Sequence, residues 1–273
     1  MAPSDKTGSL ARRIVSSLVL APPVLAAVYF GEPWVQILMA AAAVETGREW
    51  SRLCDQGRAA PGGAVLAIGA VVAIVLFWRI GAAEGIAAVA ATALAAFLVG
   101  LRRGRPTALW LALGAPVIIL PWLAFLWLRF HTADGAVICF WLLAAVWATD
   151  IGAYAVGRLV GGPKLWPRVS PNKTWSGLAG GATAAAAVGL VTSWLLDGTY
   201  AAALAITGFV VAFVAQGGDL AESAVKRRFG VKDAGRIIPG HGGLLDRVDG
   251  LLAAVPAVAL AVWLGGGEFF PWR

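Results

Sequence analysis

Charged residues are scarce in this 273-residue sequence, since Asp, Glu, Lys and Arg make up only 14% of it, against about 25% in an average soluble domain. Cysteine is rarer still: Cys54 and Cys139 cannot build a disulfide framework, and neither stands in the spacing of a metal site. The hydrophobic content is 59%. These figures exclude a disordered chain, a collagen and a disulfide-stapled secreted domain.

Long apolar segments account for most of the sequence. The mean hydropathy is +0.78, and thirteen tryptophans accompany only three tyrosines, which suits a protein with membrane–water interfaces. A helix needs about 20 apolar residues to cross a bilayer core about 30 Å thick. We therefore predict an all-α, polytopic integral membrane protein without a soluble domain and with about nine transmembrane helices, near residues 14–30, 33–47, 64–80, 82–101, 107–128, 135–156, 177–196, 200–220 and 250–265.

The basic residues indicate how these spans are oriented. With nine spans, one side of the membrane carries 19 of the 22 Lys and Arg residues, and the other keeps only Arg79, Arg129 and Arg273. Because Lys and Arg are enriched in cytoplasmic loops, we expect a multi-pass protein of the cell (inner) membrane with a cytoplasmic N-terminus and an external C-terminus. The same bias explains the net charge of +7 without nucleic acid. The first apolar segment lacks the cleavage site of a signal peptide.

The polar residues concentrate in two loops, 157–176 and 222–249, and both fall on the cytoplasmic side. We expect a single membrane domain over residues 1–273, in which the helices of 1–130 lack motifs and 131–273 form the catalytic part. Any reaction must then depend on these two loops and on the helix ends that lead into them.

The later loop carries carboxylates and cations at helical spacing. Four residues spaced i, i+3, i+4 and i+7 share one helix face: Asp219, Glu222, Ser223 and Lys226. An ionisable residue at the end of an apolar span, such as Asp219, is costly and is therefore a candidate for a functional site. A glycine-rich turn at 239–243 then precedes a helix that opens with Asp246, Arg247 and Asp249. Glycines before a helix N-terminus leave its N–H groups free to meet an anion.

These residue types are typical of a site that binds and transfers phosphate groups. Carboxylates with one His and no Cys nearby are hard oxygen ligands that suit Mg²⁺, and clustered Lys and Arg suit phosphate groups. Together they are typical of phosphoryl or nucleotidyl transfer. The alternative is a solvated loop that merely follows the bias of basic residues toward the cytoplasm, but it accounts poorly for the arrival of Asp219, Asp246 and Asp249 together at span ends.

The earlier loop is less distinctive. Asp150 and Tyr154 stand at i and i+4 near the end of a span, and a turn is predicted at 170–174 just ahead of the next apolar helix. Its polar side chains could bind an anion, or Thr174 or Ser176 could serve as an ordinary helix cap. No GxxxxGK[ST] pattern is present, so this is not a P-loop.

Residues 223–249 resemble the signature of phosphatidate cytidylyltransferases, also called CDP-diacylglycerol synthases. The pattern is Ser-x-x-Lys-Arg, four residues, Lys-Asp, then Pro-x-His-Gly-Gly-x-x-Asp-Arg-x-Asp, and SAVKRRFGVKDAGRIIPGHGGLLDRVD meets it throughout. The upstream DIGAYAVGR and VSPNKTWSG are similar to a second block of that family, and the Glu49-Trp50 pair fits more loosely. The first 140 residues match in hydrophobic character only.

The resemblance implies a Mg²⁺-dependent, homodimeric membrane enzyme that converts CTP and phosphatidate into CDP-diacylglycerol and pyrophosphate. The catalytic residues implied are Asp219, Lys226, Asp246 and Lys173. The implied metal ligands are Asp219 and Asp246, with Asp249 either as a third ligand or as a residue that supports the ligands. The implied substrate-binding residues are Asp150, Tyr154, Lys164, Ser170, Asn172, Ser223, Arg227, Lys232, His241 and Arg247. Lys173 would hold phosphates from the loop facing Lys226, while His241 would donate to the leaving pyrophosphate or hydrogen-bond within its own turn.

Two other functions stay open at this stage. Another CTP-dependent membrane lipid transferase, or a lipid kinase that uses CTP, would share the loop chemistry, but the length of the 223–249 signature favours cytidylyl transfer. An anion transporter would place charges at broken helices near the bilayer midplane and often carries an inverted repeat. Here the charges lie at one face and no repeat is visible.

Overall fold

The structure is a computed structural model and describes residues 19–55, 61–235, 237 and 242–266. Most of these residues are helical. The α-helices are α1 (Val19–Phe30), α2 (Trp34–Cys54), α3 (Pro61–Arg79), α4 (Ala82–Gly100), α5 (Arg105–Gly114), α6 (Leu120–Phe130), α7 (Gly135–Leu159), α8 (Trp175–Leu196), α9 (Ala201–Arg228) and α10 (Leu245–Leu264). A 3₁₀ turn at Leu101–Arg103 follows α4, a π-helical turn at Ala115–Ile119 joins α5 to α6, and two short strands, β1 (Lys164–Trp166) and β2 (Ser170–Thr174), lie between α7 and α8.

The predicted all-α, multi-pass architecture is confirmed, but the count of nine spans is not. Among the described residues, seven helical segments are long and apolar enough to cross a membrane: Pro61–Arg79, Ala82–Arg103, Arg105–Phe130, Gly135–Leu159, Trp175–Leu196, Ala201–Arg228 and Leu245–Leu264. The predicted second span coincides with α2, whose second half carries Glu45, Arg48, Glu49 and Arg52. Of the predicted first span, the structure describes only the shorter apolar helix α1.

The described residues form two compact units. One consists of residues within 1–119 and 231–247, and the other of residues within 120–230 and 248–273. The motifs suggested a catalytic part that begins at residue 131. That division stays a prediction, while the middle of the signature segment, 231–247, belongs to the same unit as the N-terminal helices.

In the first unit, α2 to α5 pack against one another largely in chain order. Polar contacts join α2 to the α5 region: the Trp50 indole N–H donates to the Trp110 carbonyl at 2.8 Å, and Arg103 pairs with the fully buried Asp55 side chain at 2.7 Å. These contacts fix the C-terminal end of α2. The fully buried large side chains of this unit are Leu66, Ile74, Leu111, Ile118, Ile119 and Leu245.

In the second unit, α8 packs between α7 and α9 through small residues, as its Ala- and Gly-rich sequence predicts. A Cβ at Gly189 of α8 would meet the backbone of Leu204, and one at Gly208 of α9 would meet the backbone of Ala185. The backbones therefore approach closely at these two points. A larger side chain there would force the helices apart.

The residues between α7 and α8 correct one prediction. Residues 170–174, expected as a turn, are instead strand β2, which pairs antiparallel with β1, and the turn lies at 167–169. The composition of 170–174 favours a turn locally, but pairing with β1 satisfies its backbone groups in a hairpin. The predicted cap is confirmed, since the Thr174 hydroxyl accepts the Gly177 N–H at 3.1 Å.

Candidate functional site

The β-hairpin brings a cation onto α9. The ammonium of Lys173, on β2, lies 2.5 Å from a carboxylate oxygen of Asp219 on α9. The Arg227 Nε–H also donates to the Val169 carbonyl at 3.4 Å. The hairpin therefore lies against the C-terminal half of α9. The roles assigned to these residues stay predictions.

The polar face predicted for α9 is present. Ser223 donates to a carboxylate oxygen of Asp219 at 3.3 Å, and Lys226 pairs with Glu222 at 2.5 Å. Glu222 and Lys226 expose only 8% and 9% of their surface. Because such an ion pair has lost most of its hydration, each charge depends on its partner and on further polar ligands.

The Asp249 carboxylate lies within electrostatic range of three other carboxylates of the second unit. Asp249, on α10, interacts electrostatically with Asp219, Glu222 and Asp150, the last of these from α7. The lysines paired with this group supply two positive charges. Carboxylates that lie close together in a partly buried place repel one another, and nearby cations such as these two ammonium groups stabilise them.

This carboxylate group fits Mg²⁺ in chemistry. Its ligand atoms are all carboxylate oxygens, which Mg²⁺ prefers. Among the described residues, however, no three His, Cys, Asp or Glu side chains are gathered closely enough to hold one ion. Asp219 and Glu222 hold lysine ammonium groups instead. Glu222 was not assigned a role from the sequence, although its i+3 spacing from Asp219 had placed it on the correct face.

In the first unit, the Asp246 carboxylate binds backbone N–H groups. It accepts the Gly243 N–H at 2.8 Å, and both of its oxygens lie within 3.1 Å of the Ala234 nitrogen. The carboxylate thereby joins the start of α10 to the segment before the glycine-rich turn. Its predicted role as a metal ligand stays a prediction.

The next two amides of α10 bind a carboxylate that comes from α2. Leu244 N–H donates to one oxygen of Glu49 at 3.0 Å, and Leu245 N–H donates to the other at 2.7 Å. Glu49 is fully buried. Burial raises the pKa of the Glu49 carboxyl, and the two amide hydrogen bonds oppose that rise. These amides were expected to be free for a substrate anion, whereas in the structure they bind carboxylates of the chain itself.

Three glycines leave space for the side chains of Glu49 and Asp246. A Cβ at Gly235 or at Gly243 would meet the Glu49 side chain, and a Cβ at Gly242 would meet Asp246. Only Gly242 of these three has a positive φ, +82°. Gly235 and Gly243 are therefore required by space rather than by backbone conformation. The only sequence signal for this arrangement was the loosely matching Glu49-Trp50 pair.

The other predicted site residues are spread over both units. In the second, the exposed Tyr154 hydroxyl accepts a hydrogen bond from Arg158 at 2.7 Å, and the hairpin carries Lys164, Ser170 and Asn172. In the first, Arg247 is exposed on α10. Lys232 lines an open cavity of about 500 Å³ together with Arg52, Leu53, Val231, Asp233, Ala234 and Gly235. His241 lies outside the described residues.

Comparison with known proteins agrees with the signature. The profile of the cytidylyltransferase family matches residues 11–264. A phosphatidate cytidylyltransferase of Pseudomonas aeruginosa is 37% identical over 272 residues, which cover 94% of this chain and 98% of that protein. A protein of the same name from Brucella suis biovar 1 is 56% identical over 119 residues, 44% of each chain. One from Mycobacterium leprae is 41% identical over 153 residues, 55% of this chain and 48% of the relative. In the last two comparisons the match spans about half of the relative's length.

Proposed function

Since this chain belongs to the cytidylyltransferase family, we propose that it transfers the cytidylyl group of CTP to phosphatidate, giving CDP-diacylglycerol and pyrophosphate. The observation that supports this function is the ion pair between Lys173 and Asp219, on the same helix face as the Lys226–Glu222 pair. Carboxylates that can bind a divalent cation there lie next to ammonium groups that can bind phosphates.

In the proposed reaction, a phosphate oxygen of phosphatidate attacks the α-phosphorus of CTP and the bond to pyrophosphate breaks. The attacking group is already ionised near neutral pH, since the second pKa of a phosphate monoester is about 6. A strong general base is therefore unnecessary. The main barrier is the approach of two polyanions, so that positioning and charge neutralisation provide most of the catalysis.

The side chains around Asp219 then divide the binding of metal and phosphate between them. Of the predicted metal ligands, Asp219 and Asp249 would hold Mg²⁺, which when bound would neutralise the triphosphate and stabilise the leaving pyrophosphate. Lys173 and Lys226 would give up their carboxylate partners and bind phosphate oxygens instead. The same ion pairs thus keep both lysines close to the substrate position before the substrates arrive. The predicted role of Asp246 as a metal ligand rests on its place in the signature alone.

We further propose that this chemistry takes place at the cytoplasmic face of the inner membrane. The distribution of 19 of 22 basic residues supports that side, and CTP is a cytoplasmic substrate. The acyl chains of phosphatidate would remain in the lipid while its phosphate enters at the helix ends. A homodimer is part of the same proposal.

The test follows labelled phosphorus through the reaction. Purified protein in detergent is given phosphatidate, Mg²⁺ and CTP labelled at either the α- or the γ-phosphate. Cytidylyl transfer moves only the α-label into the organic phase and leaves the γ-label in pyrophosphate. A lipid kinase, given its alcohol substrate, would move the γ-label into lipid instead. Uptake of labelled CTP into vesicles that contain the protein, with no label transferred to lipid, would favour a transporter and refute the proposal.

A further inference from the structure

The N-terminal turn of α10 is held by a residue almost two hundred positions away in the sequence. We propose that Glu49 is a positioning residue: its carboxylate fixes the first turn of α10 and thereby the direction in which Asp246 and Arg247 project. This inference deepens the proposed function and rests on it. The observations behind it all lie within the first unit.

Three consecutive backbone amides at the start of α10 donate to carboxylates. The first N–H groups of a helix have no partner within the helix and usually bind a side chain from a residue just before it. Here Glu49 accepts two consecutive amides, those of Leu244 and Leu245, and Asp246 accepts the preceding one, that of Gly243. The two carboxylates therefore hold neighbouring amides of one turn. A shift of one of them must disturb the other.

The surroundings of Glu49 restrict the movement of its side chain. Its side chain is fully buried, and Gly235 and Gly243 both come so close that neither could carry a Cβ without meeting it. The next residue, Trp50, is anchored by its hydrogen bond to the Trp110 carbonyl. Glu49 therefore projects from a fixed point and cannot follow α10 if the helix moves. A carboxylate at a helix N-terminus is also stabilised by the helix dipole.

The principal variant is Glu49→Gln, which keeps the shape and removes the charge. A glutamine has one acceptor oxygen, so its NH₂ group would face one of the two amide donors. Glu45→Gln is the matched control, since Glu45 lies one turn earlier on α2 and its ion pairs with Arg48 and Arg52 are long, at 3.7 Å. We expect Glu49→Gln to lower kcat about 10- to 100-fold, the effect of losing a charge-assisted hydrogen bond. The KM for CTP should change less than kcat.

A second measurement does not depend on activity. Hydrogen–deuterium exchange of the peptide that contains residues 242–247 should be about tenfold faster in Glu49→Gln than in wild type or Glu45→Gln, because two amides lose a charged acceptor. Glu49→Asp, which keeps the charge but is one methylene shorter, should recover part of both the protection and the kcat.

The glycines provide an independent check. Gly243→Ala should impair the enzyme because its Cβ would meet Glu49, and shortening the acid in Glu49→Asp/Gly243→Ala should make the double variant less impaired than the two single effects predict. Gly63→Ala, where a Cβ would make ordinary contact at 3.5 Å, is the matched control.

The outcomes separate this inference from the proposed function. Wild-type kcat per folded molecule and wild-type exchange in Glu49→Gln would refute the positioning role, even if the enzyme transfers cytidylyl groups. The role would also be refuted if Glu49→Gln lost activity only in proportion to folded protein, with exchange of 242–247 unchanged. Absence of transfer by the wild type would overturn the proposed function, while the exchange measurement would still decide whether Glu49 holds α10.

Discussion

Replacing Lys173 by methionine removes the positive charge paired with Asp219 while it keeps an unbranched side chain of similar length. The ammonium lies 2.5 Å from Asp219, and the two side chains are 19% and 28% exposed. Partly exposed ion pairs contribute about 0.2–1 kcal/mol to stability, so the free energy of unfolding should fall by about 1 kcal/mol or less.

The effect on catalysis should be much larger than the effect on stability. If Lys173 binds a phosphate oxygen in the transition state, its loss removes a charge-assisted contact of about 1.5–3 kcal/mol or somewhat more. We therefore expect kcat/KM for CTP to fall about 10- to 1000-fold. The measurement is the initial rate of α-label transfer from CTP into lipid, at saturating phosphatidate and Mg²⁺, alongside a thermal melt of the same preparation.

The control is Arg102→Met, which removes an exposed cation from the same predicted membrane face and should leave kcat/KM within about twofold of wild type. Lys173→Arg keeps the charge and should recover part of the activity. A Lys173→Met enzyme with wild-type kcat/KM would refute the reasoning, and the hairpin would then be only a connector between α7 and α8.

Three other predictions concern the metal, the topology and the packing. Asp219→Asn and Asp246→Asn should each lower kcat by about two or more orders of magnitude without preventing membrane insertion, because a displaced Mg²⁺ removes several kcal/mol of charge stabilisation. This is measured by label transfer against Mg²⁺ concentration. In intact cells, an impermeant thiol reagent should label Thr199→Cys but not Arg168→Cys, since the native cysteines are buried and position 168 is expected to be cytoplasmic. Gly189→Ala should lower the melting temperature in detergent through overpacking of about 1–3 kcal/mol.

Each of these predictions has a result that would contradict it. Near-wild-type turnover of either Asn variant at low Mg²⁺ would remove that residue from the metal site. Labelling at position 168 but not at 199 would reverse the proposed orientation. For the packing prediction the control is Gly217→Ala, where a Cβ would enter open space, and equal melting temperatures for the two glycine variants would contradict close backbone packing at Gly189.

The amino-acid sequence alone predicted those features that depend on neighbouring residues. The membrane spans from α3 onward follow from continuous apolar segments, because the bilayer acts on each helix separately. The polar face of α9 follows from the fixed 3.6-residue period, which places Asp219 and Lys226 on one side wherever the helix lies. The Thr174 cap is equally local. The signature at 223–249 also gave the family, which the profile match to residues 11–264 confirms.

The tertiary structure decided the features that depend on distant partners. Residues 170–174 favour a turn locally and become a strand only because β1 pairs with them. Lys173 meets Asp219 through the packing of the second unit, which no spacing along the chain encodes. The contact of Glu49 with the amides of α10 joins residues that are 195 and 196 positions apart. Such contacts have no sequence periodicity, since they are selected by the burial of a charge beside unpaired backbone donors in the folded chain.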